Sequence, residues 1–152
     1  MYYIQYLDGI AASIRYSAEV EDWFPQFDLP SRHAILGSLD GEYDGEYVEI
    51  SRLLVDSRHR GTEILDILVG DSAEQLLEEL DCRQWFAVCK PRLAVLYSRR
   101  FGARILSHHT LSHGSASSQR YAVVQGHILE LVERSQQRRR VTPRRTVSPA
   151  IA

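Results

Sequence analysis

The sequence predicts an α/β (α+β) domain with a mixed, mostly antiparallel central sheet of about six strands, flanked by helices. Three observations carry this. Tyr2 to Leu7 is dense in aromatic and β-branched residues and runs into Asp8-Gly9, a hairpin turn signal. Tyr47 to Val88 reads as an apolar strand, a basic turn closed by glycine, a long amphipathic helix and a second buried strand, the order that makes a parallel pair. A proline-started helix and two further strands follow, up to Val124.

The elements can be justified in order. Ile10 to Glu19 completes the antiparallel hairpin, with Ile14 and Tyr16 set two apart on one face. Trp23-Phe24-Pro25-Gln26-Phe27 is an aromatic cluster broken by proline, and with the mixed segment to Asp44 it is not one regular element. Two readings of it stand: a loop packing its aromatics onto the sheet, or an apolar flap beside a pocket for an acyl chain. In Tyr47 to Val55, strand alternation puts Val48, Ile50 and Arg52 on one face and Tyr47, Glu49, Ser51 and Leu53 on the other.

From Thr62 to Leu80 the apolar residues recur at helical spacing, with Gly70-Asp71-Ser72 as a point where the helix is free to kink. Trp85 to Val88 is short, apolar and flanked by chain breaks, as a buried parallel strand should be. Pro91 opens the next helix, Leu93, Leu96 and Tyr97 line one side of it, and Gly102 is placed to cap it in a left-handed conformation. Strands over Ala103 to His109 and Gln119 to Val124, then a short helix over Gly126 to Glu133, close the domain.

The chain has 152 residues, 44% hydrophobic and 25% charged, which suits one domain over residues 1–134 with its own core. Charge is uneven along it. All 20 acidic residues lie at or before Glu133, against 12 of the 18 basic ones; the other six follow it. The basic end, Ser135 to Ala152, holds Pro and Ser and few apolar residues, so it is expected to be disordered. Without interleaved aromatics it argues against nucleic acid as a partner. No apolar run reaches the roughly 20 residues of a membrane span, and Met1-Tyr2-Tyr3 lacks the features of a signal peptide, so a cytoplasmic location is expected. Cys82 and Cys89 are read as reduced thiols in that compartment. The adjacent His108 and His109 point to opposite faces of a strand; with His113 they read as solvated edge histidines, and no metal is expected.

Three stretches carry chemistry. Arg58-His59-Arg60-Gly61 lies between a strand and a helix, where backbone N–H groups and arginine make an anion site. By itself it reads equally well as a solvated turn. Tyr97, in Leu96-Tyr97-Ser98-Arg99-Arg100-Phe101-Gly102, carries a phenol whose reference pKa of roughly 10 lies near that of an alkyl thiol. It also suits the edge of a core. Glu49 and Arg52, in Glu49-Ile50-Ser51-Arg52-Leu53, form either an ordinary ion pair or a base held rigidly on a strand.

Taken in order, these stretches resemble the GCN5-related N-acetyltransferase (GNAT) superfamily. Arg58 and Gly61 match its Gln/Arg-x-x-Gly-x-Gly/Ala pyrophosphate loop, with Glu63 where a small residue is usual. Tyr97 to Gly102 is similar to its Tyr-x-x-x-Gly-Phe region, with Phe and Gly reversed. Glu49 to Leu53 resembles the Glu-x-Ser-Arg-Phe signature of acyl-homoserine-lactone synthases and long-chain N-acyl amino acid synthases; Ile14-Arg15 and Trp23 to Phe27 also sit where those proteins carry an arginine and an aromatic-proline stretch.

The resemblance implies a GNAT-like sheet and an acyltransferase. Its donor is an acyl-CoA, or the acyl-phosphopantetheine of an acyl carrier protein, and its acceptor the amine of an amino acid or derivative. It implies Glu49 as the base that deprotonates the amine and Tyr97 as the acid that protonates the leaving thiolate. The donor site implied runs through Leu54, Val55, Arg58, His59, Arg60, Gly61 and Thr62, with Arg15, Ser51 and Arg52 as structural or charge partners. It further implies a strand and one or two helices ahead of the hairpin, elements that shape the acceptor pocket, whereas the sequence opens at Met1 on the hairpin itself. An acetyl-CoA-dependent N-acetyltransferase and a non-catalytic binding domain of this fold are the alternatives.

Overall fold

The computed structural model describes residues 2–6, 9–39, 41, 45–112, 118–141 and 150–151. Its frame is a seven-stranded sheet. The hairpin forms as expected from β1 (Tyr2–Tyr6) and β2 (Gly9–Ser17), antiparallel with Tyr6 opposite Gly9; Asp8 of the turn lies outside the described residues. β2 pairs antiparallel with β3 (Tyr47–Val55), which pairs parallel with β4 (Gln84–Cys89). β4 pairs with β6 (Gln119–His127) and β6 with β5 (Arg104–Leu111), both antiparallel. A two-residue β7 (Ala150–Ile151) lies on the free edge of β1, giving the order β5-β6-β4-β3-β2-β1-β7.

The parallel ladder is short. It holds three residue pairs, Tyr47↔Gln84, Val48↔Trp85 and Glu49↔Phe86, and beyond Glu49 the two strands run on without pairing to each other. On its other side β3 carries a bulge: Arg15 faces Ser51 and Ser13 faces Leu54, so two residues of β3, Arg52 and Leu53, stand against Ile14 alone. Arg52 has φ 51, in the left-handed region. The bulge corrects the face expected for Leu53. Alternation resumes one residue out of phase, and Leu53 joins Val48 and Ile50 in one core instead of sharing the face of Tyr47 and Glu49.

Each face of the sheet has its own core. On one, Val48, Ile50, Trp85, Ala87 and Val124 pack under α2 (Ile64–Glu79), α3 (Pro91–Phe101) and α4 (Ile128–Val141). On the other, Tyr47, Phe86 and Val123 are covered by Trp23, Phe24, Phe27 and α1 (Leu29–Leu36). β4 shows why the sheet is two-sided: Trp85, Ala87 and Cys89 belong to the first core, Phe86 and Val88 to the second.

The helices depart from expectation in three places. α1 was not anticipated, although its signals are present: the Asp28 carboxylate accepts from Ser31 N–H at 2.8 Å as an N-cap, and Pro30 lies in the first turn. α2 runs unbroken through Gly70, whose missing side chain lets Ser135 of α4 come close; a Cβ there would stand 2.8 Å from that of Ser135. α4 begins at Ile128, after β6 has run on to His127, and continues to Val141. Of the tail expected to be disordered, residues 135–141 are therefore helical and 150–151 form β7, while 142–149 lie outside the described residues. Tertiary contact accounts for the longer helix. Ser135 is fully buried against α2, and Arg139 donates to Asp71 at 2.5 Å. α3 spans Pro91 to Phe101, and Gly102 caps it with φ 70, as the sequence predicts.

Candidate active site

Glu49 is the last residue of β3 in the parallel ladder, and strand alternation turns it toward the aromatic face. It is 4% exposed, and its Oε2 accepts the backbone N–H of Phe24 at 3.1 Å. Burial dominates its electrostatics and pushes its pKa up to about 7; the Phe24 N–H and the positive charges of Arg15 and Arg32 pull it partly back. A carboxyl titrating there is ionised often enough at neutral pH to take a proton and basic enough to hold it.

The backbone around this carboxylate is strained on two sides. Phe24, with φ 33, and Arg52, with φ 51, are the two non-glycine residues of positive φ among those described. Each such residue costs on the order of 1–3 kcal/mol, and such costs concentrate at functional sites. Phe24 also precedes Pro25, which disfavours compact backbone at the preceding residue. The strain is held by packing: Trp23 lies edge-on to Phe86 at 4.7 Å between ring centroids, Phe24 to Phe86 at 5.9 Å, and the Trp23 indole N–H donates to Ser17 O at 2.8 Å.

A cavity of about 330 Å³ opens here, and Arg15, Glu49, Ser51 and Arg52 all line it. The four residues singled out in the hairpin and in β3 therefore come together. Arg15 and Ser51 are cross-strand partners, and the bulge turns Arg52 into the cavity with Glu49 and Ser51, not onto the face of Val48 and Ile50 expected from simple alternation. Asp22, Pro25, Gln26 and Val88 also line it, and none of these was a sequence candidate. The aromatic stretch follows the first of its two readings, a loop packing its aromatics onto the sheet, and the cavity it borders has a mainly charged and polar lining rather than the apolar one an acyl chain would need. Its rings are buried in the core, and Pro25 and Gln26 form a wall of the cavity.

A second cavity, of about 400 Å³, borders the next residues of the same strand. Leu54, Val55, His59, Arg60, Gly61 and Thr62 line it, six of the seven predicted donor-site residues. Gly61 has φ 78, a conformation in which a side chain would be strained. The seventh residue, Arg58, does not line the cavity. Asp56 accepts its backbone N–H and its Nε, each at 2.9 Å, and these bonds hold the Asp56 carboxyl down at about 2. Leu65 and the α3 stripe Leu93, Leu96 and Arg100 complete the wall. Arg100 was missed although its spacing was visible, seven residues after Leu93 and four after Leu96, on the same helical face.

Tyr97 lies apart from both cavities. It is 2% exposed in the core under the helices, 5.3 Å from the Trp85 ring and 6.3 Å from that of Phe101. Burial, helped by Cys89 and Tyr16, drives its pKa further above the ordinary phenol value, so it keeps its proton throughout the working pH range. Glu49 and Tyr97 therefore sit on opposite faces of the sheet.

Other candidate groups are not arranged for this chemistry. Cys82 and Cys89 are free and buried, and burial pushes the Cys89 thiol up to about 12, away from nucleophilic use. His109 Nε2 is hydrogen-bonded with Ser38 and Ser107, each at 2.8 Å, which ties the turn after α1 to β5; His113 lies outside the described residues. Among the described residues no group of three or more His, Cys, Asp or Glu is placed to hold a metal ion, and no helix is long and apolar enough to cross a membrane.

No family model matches the sequence, and no curated protein matches it. Solved structures do match in fold. A CoA-dependent acyl-homoserine lactone synthase, MesI, aligns with a TM-score of 0.63 at 14% identity, over 94% of this chain and 70% of its own. BjaI, a second such synthase solved with SAM and isopentyl-CoA, aligns at 0.59 and 15% identity, over 90% of this chain and 63% of its own. FeeM, an N-acyl amino acid synthase from uncultured soil microbes, aligns at 0.57 and 12% identity, over 87% and 74%. N-acetyltransferases share the fold at TM-scores of 0.52 to 0.55. The likeness at these identities is one of fold, and the chain spans about two thirds of the length of the synthases.

Proposed function

We propose that the protein is an N-acyltransferase that moves an acyl group from a thioester, an acyl-CoA or the acyl-phosphopantetheine of a carrier protein, to the amine of an amino acid or derivative. One observation carries the reading: β3 lines two cavities with successive residues, Glu49, Ser51 and Arg52 on one and Leu53, Leu54 and Val55 on the other, at the place where it parts from β4. A thioester arm lying along the second cavity, with its carbonyl in the gap between the strands, would meet an amine in the first.

The chain's own residues then divide the work. Glu49 takes the proton from the attacking amine as the C–N bond forms. Arg15 and Arg52 give the acceptor cavity the positive charge that suits a carboxylate on the same acceptor. Backbone N–H groups near Leu54 stabilise the negative oxygen of the tetrahedral species. As the C–S bond breaks, the departing thiolate takes a proton from water, leaving an amide and a free thiol; Tyr97, buried and lining neither cavity, is not in place to supply it. Most of the rate comes from holding the reactants in place.

Tyr97→Phe keeps the ring packing on Trp85 and Phe101 and removes only the hydroxyl of a buried side chain that lines neither cavity, so steady-state turnover, donor affinity and near-UV circular dichroism are all expected to stay close to those of the wild type. A large loss of turnover with donor affinity unchanged would instead make Tyr97 the acid that the resemblance implies.

The reading is tested by mass spectrometry of products after incubation with acetyl-CoA, a long-chain acyl-CoA and a long-chain acyl carrier protein, each against a pool of amino acids and amines. An N-acylated amino acid made from a long-chain donor is the expected result. A two-carbon donor used in preference makes the protein an acetyltransferase, a reading favoured by the N-acetyltransferases that share the fold. Donor binding without any product makes it a binding domain.

A further inference from the structure

The first turn of α2 is a poor place for an anion on sequence grounds, because Glu63 and Asp66 both carry negative charge there. The arginine that the loop pattern offers for the task, Arg58, is engaged by Asp56 on the protein surface. Besides Arg60 of the loop itself, the cavity has a second arginine that comes from elsewhere in the fold. Arg100, in the last turn of α3, reaches across to Asp66 and donates from Nε to Oδ1 at 3.1 Å and from Nη2 to Oδ2 at 2.6 Å. Asp66 is almost wholly buried, so the ion pair is geometrically fixed, while the Arg100 side chain remains 25% exposed and lines the cavity beside His59 and Arg60. Its Nη1 has no protein partner among the described residues.

From this arrangement we infer that Arg100, oriented by Asp66, receives a phosphoryl group of the acyl donor. The inference rests on the donor reading proposed above and adds a residue to it. Two features of the pair fit this role better than that of a plain strut between helices. Asp66 fixes the plane of the guanidinium and leaves the Nη1 edge with its donors free, so little side-chain entropy is lost when an anion binds there. Leu93 and Leu96, on the same stripe of α3, continue from Arg100 as an apolar wall, the surface that an acyl-pantetheine arm would need behind its phosphate. Two sources offer the same chemistry, the phosphate of phosphopantetheine and the nucleotide phosphates of coenzyme A.

The test is an NMR titration of the full chain with coenzyme A, 4′-phosphopantetheine and pantetheine. The wild type is compared with Arg100→Lys and with the double variant Asp66→Asn/Arg100→Gln. The double variant replaces the ion pair by a neutral hydrogen-bonded pair, so that no charge is left buried alone. Loss of about 10- to 100-fold in affinity for a phosphorylated ligand, with pantetheine unchanged, is the expected result, the size being that of a charge-assisted bond. A loss confined to coenzyme A assigns Arg100 to the nucleotide phosphates; a loss shared by 4′-phosphopantetheine assigns it to the pantetheine phosphate. Unchanged affinities in both variants, or equal losses for all three ligands, overturn the inference and leave the pair a strut. A wild type that binds none of the three overturns the donor reading itself.

Discussion

Glu49→Gln is expected to lower turnover about 10²- to 10⁴-fold, the usual contribution of a positioned base, and to leave donor binding intact. Glutamine is nearly isosteric and its oxygen still accepts the Phe24 N–H, so the loss isolates proton transfer from structure. In the wild type, kcat/KM should climb with pH through about 7, where Glu49 ionises in the folded chain; in the variant that limb should vanish.

Stability gives an independent reading of the same carboxyl. Its folded pKa of about 7 lies above the ordinary 4.5, so at pH below 4.5 the group is protonated in both states and costs nothing. Between 4.5 and 7 the unfolded chain ionises first and folding becomes less favourable; above 7 the cost levels off at about 3 kcal/mol. Glu49→Gln should therefore match the wild type in chemical denaturation at pH 4.5 and exceed it at pH 8. Undiminished activity in the variant, or a stability difference that does not grow with pH, would show that Glu49 is neither the base nor held in the state described.

Trp23→Ala is expected to cost about 3 to 5 kcal/mol, as the removal of a fully buried indole leaves a large cavity. At about 2 to 4 °C per kcal/mol for a chain of this size, the melting temperature should fall by ~6 to 20 °C. The substitution removes the edge contact with Phe86 and the donor to Ser17 O. It also releases the loop that brings the Phe24 N–H to Glu49. Trp23→Phe refills part of the space without the indole N–H, so it should recover most of the stability. If Trp23→Ala melts within about 2 °C of the wild type, the aromatic stretch is a surface flap and does not build the site.

Much of this site was legible because the sequence signals were local and their order was informative. Glu49, Ser51 and Arg52 are near neighbours in one strand, and Arg15 lies in the strand beside it, so a correct hairpin and strand assignment brings the four together. The bounds of α3 were equally readable, since Pro91 and Gly102 each satisfy a backbone requirement at a helix end.

What stayed hidden depends on contacts between distant residues. A bulge adds one residue without changing composition, so nothing in Glu49 to Val55 announces that Leu53 has changed faces. The extension of α4 is stabilised by Gly70 and Asp71, about 65 residues away along the chain, and the tail's own composition gave no sign of it. Arg100 lay within a motif already singled out for its tyrosine. Its role needed Asp66, which only the packing of α3 on α2 supplies.

The three-pair ladder between β3 and β4 has a mechanical consequence. On one side of it stand β7, β1, β2 and β3, and on the other β4, β6 and β5, each set joined within itself by antiparallel pairing. Along the seam between these two sets the described residues form three parallel pairs, with slanted bonds. Glu49 sits on one lip of that seam and Val88 on the other. The backbone alone would let the two half-sheets part with the loss of three parallel pairs and no antiparallel ladder, but side chains close the seam: Val48 and Trp85 pack across it in one core, Tyr47 and Phe86 in the other. The rims of the cavity at Glu49 and Val88 are therefore set by core packing on both faces of the sheet and not by the ladder between the strands that carry them.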